Sequence, residues 1–260
     1  MAVKSDFVIK FERARGHLDD LEKQLAAWAN SGHHTVKNER DPAAGPDRFK
    51  VSVISDLVPR EPFGALIGDV LHNLRGALDH LAFALAESYA GRPLPDDIAK
   101  ESEFPIFERD DARAIAKKIR GIHPDAQAVI KSLQPYHKGK DCSLDKLWIL
   151  HALSNIDKHR LLIVGTVSNV AAGFRLSGSC NFQDLDVQVY DTMIEGETVV
   201  IRYRAIPIDR DKAMHVEFDP LLQIAFKTPL ALNGKGVVRT LNDICDYIQV
   251  RAFGSLGKFL

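Results

Sequence analysis

Residues 68–85 read GDVLHNLRGALDHLAFAL, and the fold turns on how this stretch is read. At about 100° per residue, Val70, Leu71, Leu74, Leu78, Leu81 and Leu85, with Ile67 just ahead, share one apolar stripe. Away from that stripe, Asp69, His72, Asn73, Gly76, Asp79 and His80 fall within one sector of about 120°, with Arg75 at its flank. A helix face that merely meets water usually carries Lys and Glu, and this one has neither before Glu87. Gly76 sits mid-helix, where it costs about 1 kcal/mol relative to Ala; a group approaching closely would explain it. The face is therefore read three ways: as a solvated surface, a buried polar network or an active site.

Working outward, Pro62 stands where a helix tolerates a missing N–H, and Gly91, Pro93 and Pro95 close the element. Upstream, Phe7, Phe11, Ala14, Leu18, Leu21, Leu25 and Trp28 alternate spacings of four and three, which predicts a long amphipathic helix ended by Ser31 and Gly32. Two β-like runs, Thr35 to Glu39 and Arg48 to Ser55, flank the turn-rich DPAAGPD and predict a hairpin. The alternation in FKVSVIS predicts one buried face. Downstream of FPIF, helical pattern returns at Asp110 to Arg120 and at Pro124 to Leu133, and Pro135 stops the second. Ser143 is the expected N-cap of a helix from Leu144 to about Ile156 that is apolar nearly all round, as a helix buried on most sides would be.

From Leu161 the period changes. LLIVGTVSNV, FRLSG, DLDVQVYDTMIEG, ETVVIRYRAI and HVEFDPLLQIAF predict an antiparallel sheet, with Glu195-Gly196 as a hairpin turn. Val237, Leu241, Ile244, Cys245 and Ile248 mark a C-terminal helix. The fold class is thus α+β, a helical bundle packed with an antiparallel sheet. Residues 1–260 are expected to form a single composite domain, with a helical core of 1–31, 62–160 and 236–260 and a β-rich part of 161–232.

Lys and Arg total 34 against 35 Asp and Glu, a net charge of −1, so a broad phosphate-tracking surface is not expected, though a small basic pocket is compatible. Cys142, Cys180 and Cys245 are odd in number and far apart, which argues against a disulfide framework or a cysteine zinc site. No secretory leader or long apolar run is visible, so the expectation is a cytoplasmic, non-membrane protein of bacterial type. Glycine-rich phosphate loops and nucleophile elbows are missing, and no cofactor is implied.

A second polar set lies at 151–160: His151 and Asn155 share a face four residues apart, followed by Asp157, His159 and Arg160. Buried imidazole and amide groups need partners, since an unpaired one costs about 1–3 kcal/mol. The two polar helices are therefore expected to pack together, with His72 or His80 near His151 or Asp157, the latter able to fix an imidazole tautomer. Arg13 and His17, in RARGHLDD, share a rim of the first helix; they either join this cluster or snorkel at the surface.

Arg75 and His80 enclose the four residues GALD, a spacing that resembles the Arg–four-to-six–His motif of the HEPN superfamily, helical proteins that include many bacterial defence ribonucleases. The resemblance implies metal-independent RNA cleavage or RNA binding. By position His80 would be the acid/base and Arg75 the phosphate contact, with Asp69, His72, Asn73 and Asp79 in support. It also implies a homodimer, because active members pair two protomers across the motif. The physics fits: imidazole titrates near pH ~6.5, and guanidinium offers phosphate a planar fork. RARGHL, GDVLHNLRGALDHL, FPIF, LQPY and NIDKHR together are similar to a widespread group of uncharacterised bacterial proteins, which implies that residues 13–160 act as one unit. Two other readings stand beside the ribonuclease. One is a non-enzymatic interaction module with a buried His/Arg/Asp network. The other is a bundle metal site drawing on His72, Asp69, Asp79, His80, His151 and Asp157.

Overall fold

The computed structural model describes residues 5–31, 34–55, 62–160, 162, 164–169, 174–177, 180–187, 192–193, 196–207, 215–218, 221–228 and 230–260. Helices and antiparallel strands are both present, an α+β protein. It forms two compact units. The first, helical unit comprises Met1–Leu21, Pro62–Leu162 and Val238–Leu260; the second, β-rich unit comprises Glu22–Glu61 and Ile163–Val237.

In the helical unit, α1 (Asp6–Ser31) contributes its first turns, and Phe7, Phe11, Ala14, Leu18 and Leu21 of its stripe are buried as the periodicity requires. The central helix α2 (Pro62–Ala90) buries Ile67, Val70, Leu71, Leu74, Leu78, Leu81 and Leu85, each at most 1 % exposed. Burying side chains of this size contributes roughly 1.5–3 kcal/mol apiece, which is why this stripe anchors the unit. Gly91 follows in the left-handed region (φ +95°), a backbone state that ends helices and favours glycine. Three shorter helices come next: α3 (Asp96–Ala99), α4 (Ala112–Lys118) and α5 (Pro124–Ser132).

After Pro135 the chain stays helical in a 3-10 stretch, Pro135–Leu144, kinked at Gly139. Helix α6 (Lys146–Asp157) then packs against α2, and every residue of it is buried or half-buried. Its cap is Asp145, not the expected Ser143. Asp145 Oδ1 accepts from the Leu147 and Trp148 amides at 2.8 and 3.4 Å, and Lys138 Nζ lies 2.9 Å from its other oxygen. Carboxylate suits this place better than hydroxyl because it satisfies two orphan amides and a cation together. Helix α7 (Val237–Tyr247) runs into a π-helical stretch, Ile248–Phe253, whose Phe253 ring meets Phe7 and Phe11 edge-on at 5.0 and 5.2 Å.

In the β-rich unit, β1 (His34–Arg40) and β2 (Arg48–Ser55) form the expected hairpin. Instead of one continuous sheet there are three sets of paired strands among the described residues. The hairpin joins β7 (Glu197–Pro207) and β5 (Cys180–Val187) in the order β1-β2-β7-β5. Strand β3 (Val164–Asn169) pairs with β6 (Thr192–Met193) and β9 (Leu221–Phe226), and β4 (Phe174–Ser177) pairs with β8 (His215–Phe218). Glu195 lies outside the described residues. Gly196 does not turn a hairpin, because β6 and β7 belong to different sheets. The single buried face expected for FKVSVIS is not what forms: Val51, Ser52 and Val53 are all fully buried, so this stretch of β2 is covered on both faces.

Candidate functional site

One edge of α2 is wired to an extended strap, residues 103–107. Pro105 cannot donate a hydrogen bond and disfavours helix before it, so the strap's backbone groups need partners from outside it. The Glu103 amide donates to the Lys118 carbonyl at 3.3 Å, and side chains serve Phe104, Pro105 and Phe107. Arg75 Nη2 lies 2.7 Å from the Phe104 carbonyl, 2.8 Å from Asp79 Oδ1 and 2.6 Å from Glu103 Oε1, sharing its two hydrogens among three acceptors. The Phe104 amide donates to Asp79 Oδ1 at 3.1 Å. Gln134, only 2 % exposed, holds the far end: its Nε2 donates to Pro105 O at 2.8 Å, and its Oε1 accepts from Phe107 N at 3.2 Å. Lys118 of α4 pairs with the second oxygen of Glu103. Burial, the largest influence on Asp79, lifts its carboxyl above the usual range against the pull of Arg75 and the Phe104 amide. Burial raises Glu103 as well, but hydrogen bonding and charge from Lys118, with the charge of Arg75, outweigh it and leave that carboxyl low.

Strap, α2, α4 and α6 enclose a pocket of about 470 Å³. Arg75, Glu103 and Lys118 form one wall; Ile106, Phe107 and Trp148 supply apolar and aromatic surface; His151 and Asn155 present polar edges. Asn155 Nδ2 lies 2.9 Å from His151 Nε2. With the amide donating, the proton of the neutral ring sits on Nδ1. Burial, aided by the charges of Arg75, Lys158 and Lys118 and opposed by Glu103, pushes the His151 pKa below its ordinary value and so favours the neutral ring. Arg75, through Nη2, and Lys118 both pair with Glu103, while Arg75 Nη1 is buried without a hydrogen-bond partner.

The residues singled out from the sequence are not gathered in one place. Arg75 and Asp79 belong to the strap edge, with His151 and Asn155 across the pocket. Asp69 and His72 are exposed. Asp157 feels both of them, since burial first and then Asp69 raise its carboxyl and His72 lowers it. A histidine of α2 thus acts on Asp157, while arginine is the α2 residue that shares a pocket with His151. Asn73 is 9 % exposed, and its Nδ2 donates to the Asp69 carbonyl one turn back at 2.8 Å. His80 lies on the opposite edge, with Nδ1 4.0 Å from Asp6 of α1. Arg75 and His80 do not converge within one chain: five residues apart on a helix, they point about 140° away from each other. Arg13, His159 and Arg160 are exposed and His17 half-buried, and among the described residues none has a hydrogen-bond or ion-pair partner for its side chain.

The close approach assigned to Gly76 occurs at Gly68 instead. A Cβ at Gly68 would lie 2.5 Å from Asp157 Oδ1, whereas one at Gly76 would meet only the Lys10 stem at 3.8 Å. Among the described residues no three His, Cys, Asp or Glu side chains converge as a metal sphere requires. Cys142 and Cys245 are buried, and burial raises both thiols.

Sequence reasoning missed Glu103, Lys118, Phe107 and Trp148. The signal available for the strap was Glu103 immediately before FPIF. The proline enforces extended backbone, and a carboxylate beside it invites a cation. Comparison with known proteins gives no match to a family model, a curated protein or a solved structure. Among the described residues no helix is long and apolar enough to cross a membrane.

Proposed function

We propose that the helical unit binds single-stranded RNA by taking one unpaired base into the pocket between strap and α6. The observation that carries this is the charge state of the pocket. Its arginine is paired with Asp79 and Glu103 and its lysine with Glu103, burial biases its histidine toward the neutral form, and aromatic surface lies beside the imidazole–amide pair. That environment suits an uncharged planar heterocycle with hydrogen-bonding edges better than a bare phosphate. Proteins that recognise unpaired RNA bases stack them on aromatic side chains and read their edges with polar ones. The volume lies within the range of roughly 300–1,000 Å³ common for ligand pockets. RNA is the form of such a ligand that the HEPN resemblance of the Arg75–GALD–His80 spacing implies.

Binding is favoured over cleavage by His80 with Arg75, because Arg75 Nη2 is committed to internal acceptors, Nη1 is buried and His80 faces α1. The same wiring favours a second reading, a non-enzymatic module in which Arg75 is a structural clamp. The test is a titration of the purified protein with short single-stranded RNA in EDTA, followed by fluorescence anisotropy and by gel. Trp148→Ala and Asn155→Ala are expected to weaken binding about tenfold or more with little change in melting temperature. RNA bound equally well by both variants would remove the pocket from recognition. Metal-independent cleavage lost in His80→Ala would return that histidine to a catalytic role.

A further inference from the structure

A second pocket, of about 270 Å³, adjoins the first and shares Trp148 and Glu108 with it. Trp148 Nε1 donates to Glu108 Oε2 at 3.3 Å, so this pair forms the ridge between the two. The second pocket is lined by Arg109, Lys140, Ser143 and the bare backbone of Gly139. Gly139 has φ +55°, and a Cβ there would meet nothing within 4 Å, so the site is open to close approach. Arg109 and Lys140 are exposed, and neither makes an ion pair among the described residues. This contrasts with the first pocket, where Glu103 is bonded to both cations.

We infer that the second pocket seats a phosphate of the same ligand, so that a nucleotide strand crosses Trp148 with its base on one side and its anion on the other. The inference rests on the base-pocket reading above and deepens it. Two uncommitted cations face one carboxylate, and that carboxylate is turned to the indole. Guanidinium and ammonium beside a hydroxyl and exposed glycine backbone form a donor set for phosphate oxygens. The division explains how a chain of net charge −1 can hold RNA without a basic face. One local subsite supplies the anion contact, while stacking supplies the sequence-tolerant part.

The experiment uses the full chain, at low and moderate salt. Probes are the four common ribonucleosides, their 5′- and 3′-monophosphates, a short single-stranded RNA and inorganic phosphate. Mononucleotides are expected to bind about tenfold more tightly than nucleosides. The double variant Arg109→Gln/Lys140→Gln should erase that difference, flatten the salt dependence of RNA binding and leave nucleoside affinity unchanged. Both positions are exposed, so circular dichroism should report an intact fold. If the double variant keeps the full preference for phosphorylated ligands, the subsite is elsewhere and the inference is overturned. If nucleosides bind and phosphate adds nothing, the inference fails and the base pocket stands. If inorganic phosphate competes as well as mononucleotides do, the pocket takes a free anion and the strand path is overturned. If neither nucleosides nor RNA bind, both readings fall together.

Discussion

The two edges of α2 carry similar residues and live in different environments. On one edge Gly68, Arg75 and Asp79 are pressed against α6 or bonded to the strap, with partners about 25–90 residues away in sequence. On the other, Asn73, Gly76 and His80 meet their own backbone, a lysine stem and an exposed aspartate. Residue type alone did not distinguish them. What sets Arg75 and Asp79 apart is an extended neighbouring chain; what sets Gly68 apart is the close approach of Asp157 from α6. The strap brings backbone groups at Phe104, Pro105 and Phe107 that side chains satisfy, whereas α1 arrives with its own hydrogen bonds already made.

Substituting Arg75 should break this contrast most severely. Arg75→Ala removes the donor shared by Phe104, Asp79 and Glu103, and leaves two carboxylates facing each other. Loss of one partner from a buried pair costs about 3–5 kcal/mol; Arg75 is 12 % exposed but Asp79 and Glu103 are 33 % and 45 % exposed, which places the loss at or below the low end of that range. His80→Ala on the other edge should stay within about 0.5 kcal/mol, as surface substitutions do. Urea unfolding of both variants decides the matter; equal losses would erase the distinction between the edges.

Gln134 sharpens the comparison from the strap side. Gln134→Ala strands the Phe107 amide and the Pro105 carbonyl, and a buried unsatisfied group costs about 1–3 kcal/mol. Loosening the strap should also weaken any ligand of the pocket, since Phe107 lines it. A drop in stability with unaltered binding would detach strap from site.

The glycines give a smaller and signed test. Gly68→Ala drives a methyl group into the Asp157 carboxylate, an overpacking loss of about 1–3 kcal/mol offset by up to about 1 kcal/mol of helix propensity, and should cost about 1 kcal/mol net. Gly76→Ala meets ordinary contact distances and should gain up to about 1 kcal/mol from helix propensity. Adding Asp157→Ala should recover much of the Gly68→Ala loss. Additive losses in that double variant would show that Asp157 is not what the glycine accommodates.

These positions show what could be read from the sequence and why. The stripes of α1 and α2 were legible because periodicity is local: each leucine's burial follows from residues three and four away. The α+β division and the hairpin at 34–55 were legible for the same reason. The pairing of that hairpin with β7 was not, because it joins segments about 150 residues apart. At the site, Arg75, Asp79, His151 and Asn155 were legible as polar residues in apolar helices. Glu103 and Lys118 were not, since an acid and a lysine in polar surroundings resemble any surface pair. Gly76 misled because its cost is set by helix propensity, while its tolerance depends on a neighbour the sequence does not show.

The smallest expected effect lies in pH dependence, and it tests whether the strap edge is dry. His151 has its pKa lowered in the folded protein, mainly by burial and then by Arg75, Lys158 and Lys118 against Glu103. Its unfolded reference is near 6.5. Below that value the unfolded chain takes up a proton on this ring more readily than the folded chain. The contribution is therefore intact above pH ~6.5 and is lost as pH falls toward and through the folded pKa. Asp79 and Asp157, whose carboxyls are raised, act with the opposite sign, favouring the fold at lower pH and losing that advantage as pH rises through their folded values. The wild-type curve mixes these, so the quantity to measure is the difference between wild type and His151→Gln from pH 8 to 5. That difference should turn against the wild type as the medium becomes acidic. A flat difference would mean that His151 is as well hydrated as a surface histidine, and that the pocket beside Arg75 does not hold the ring neutral.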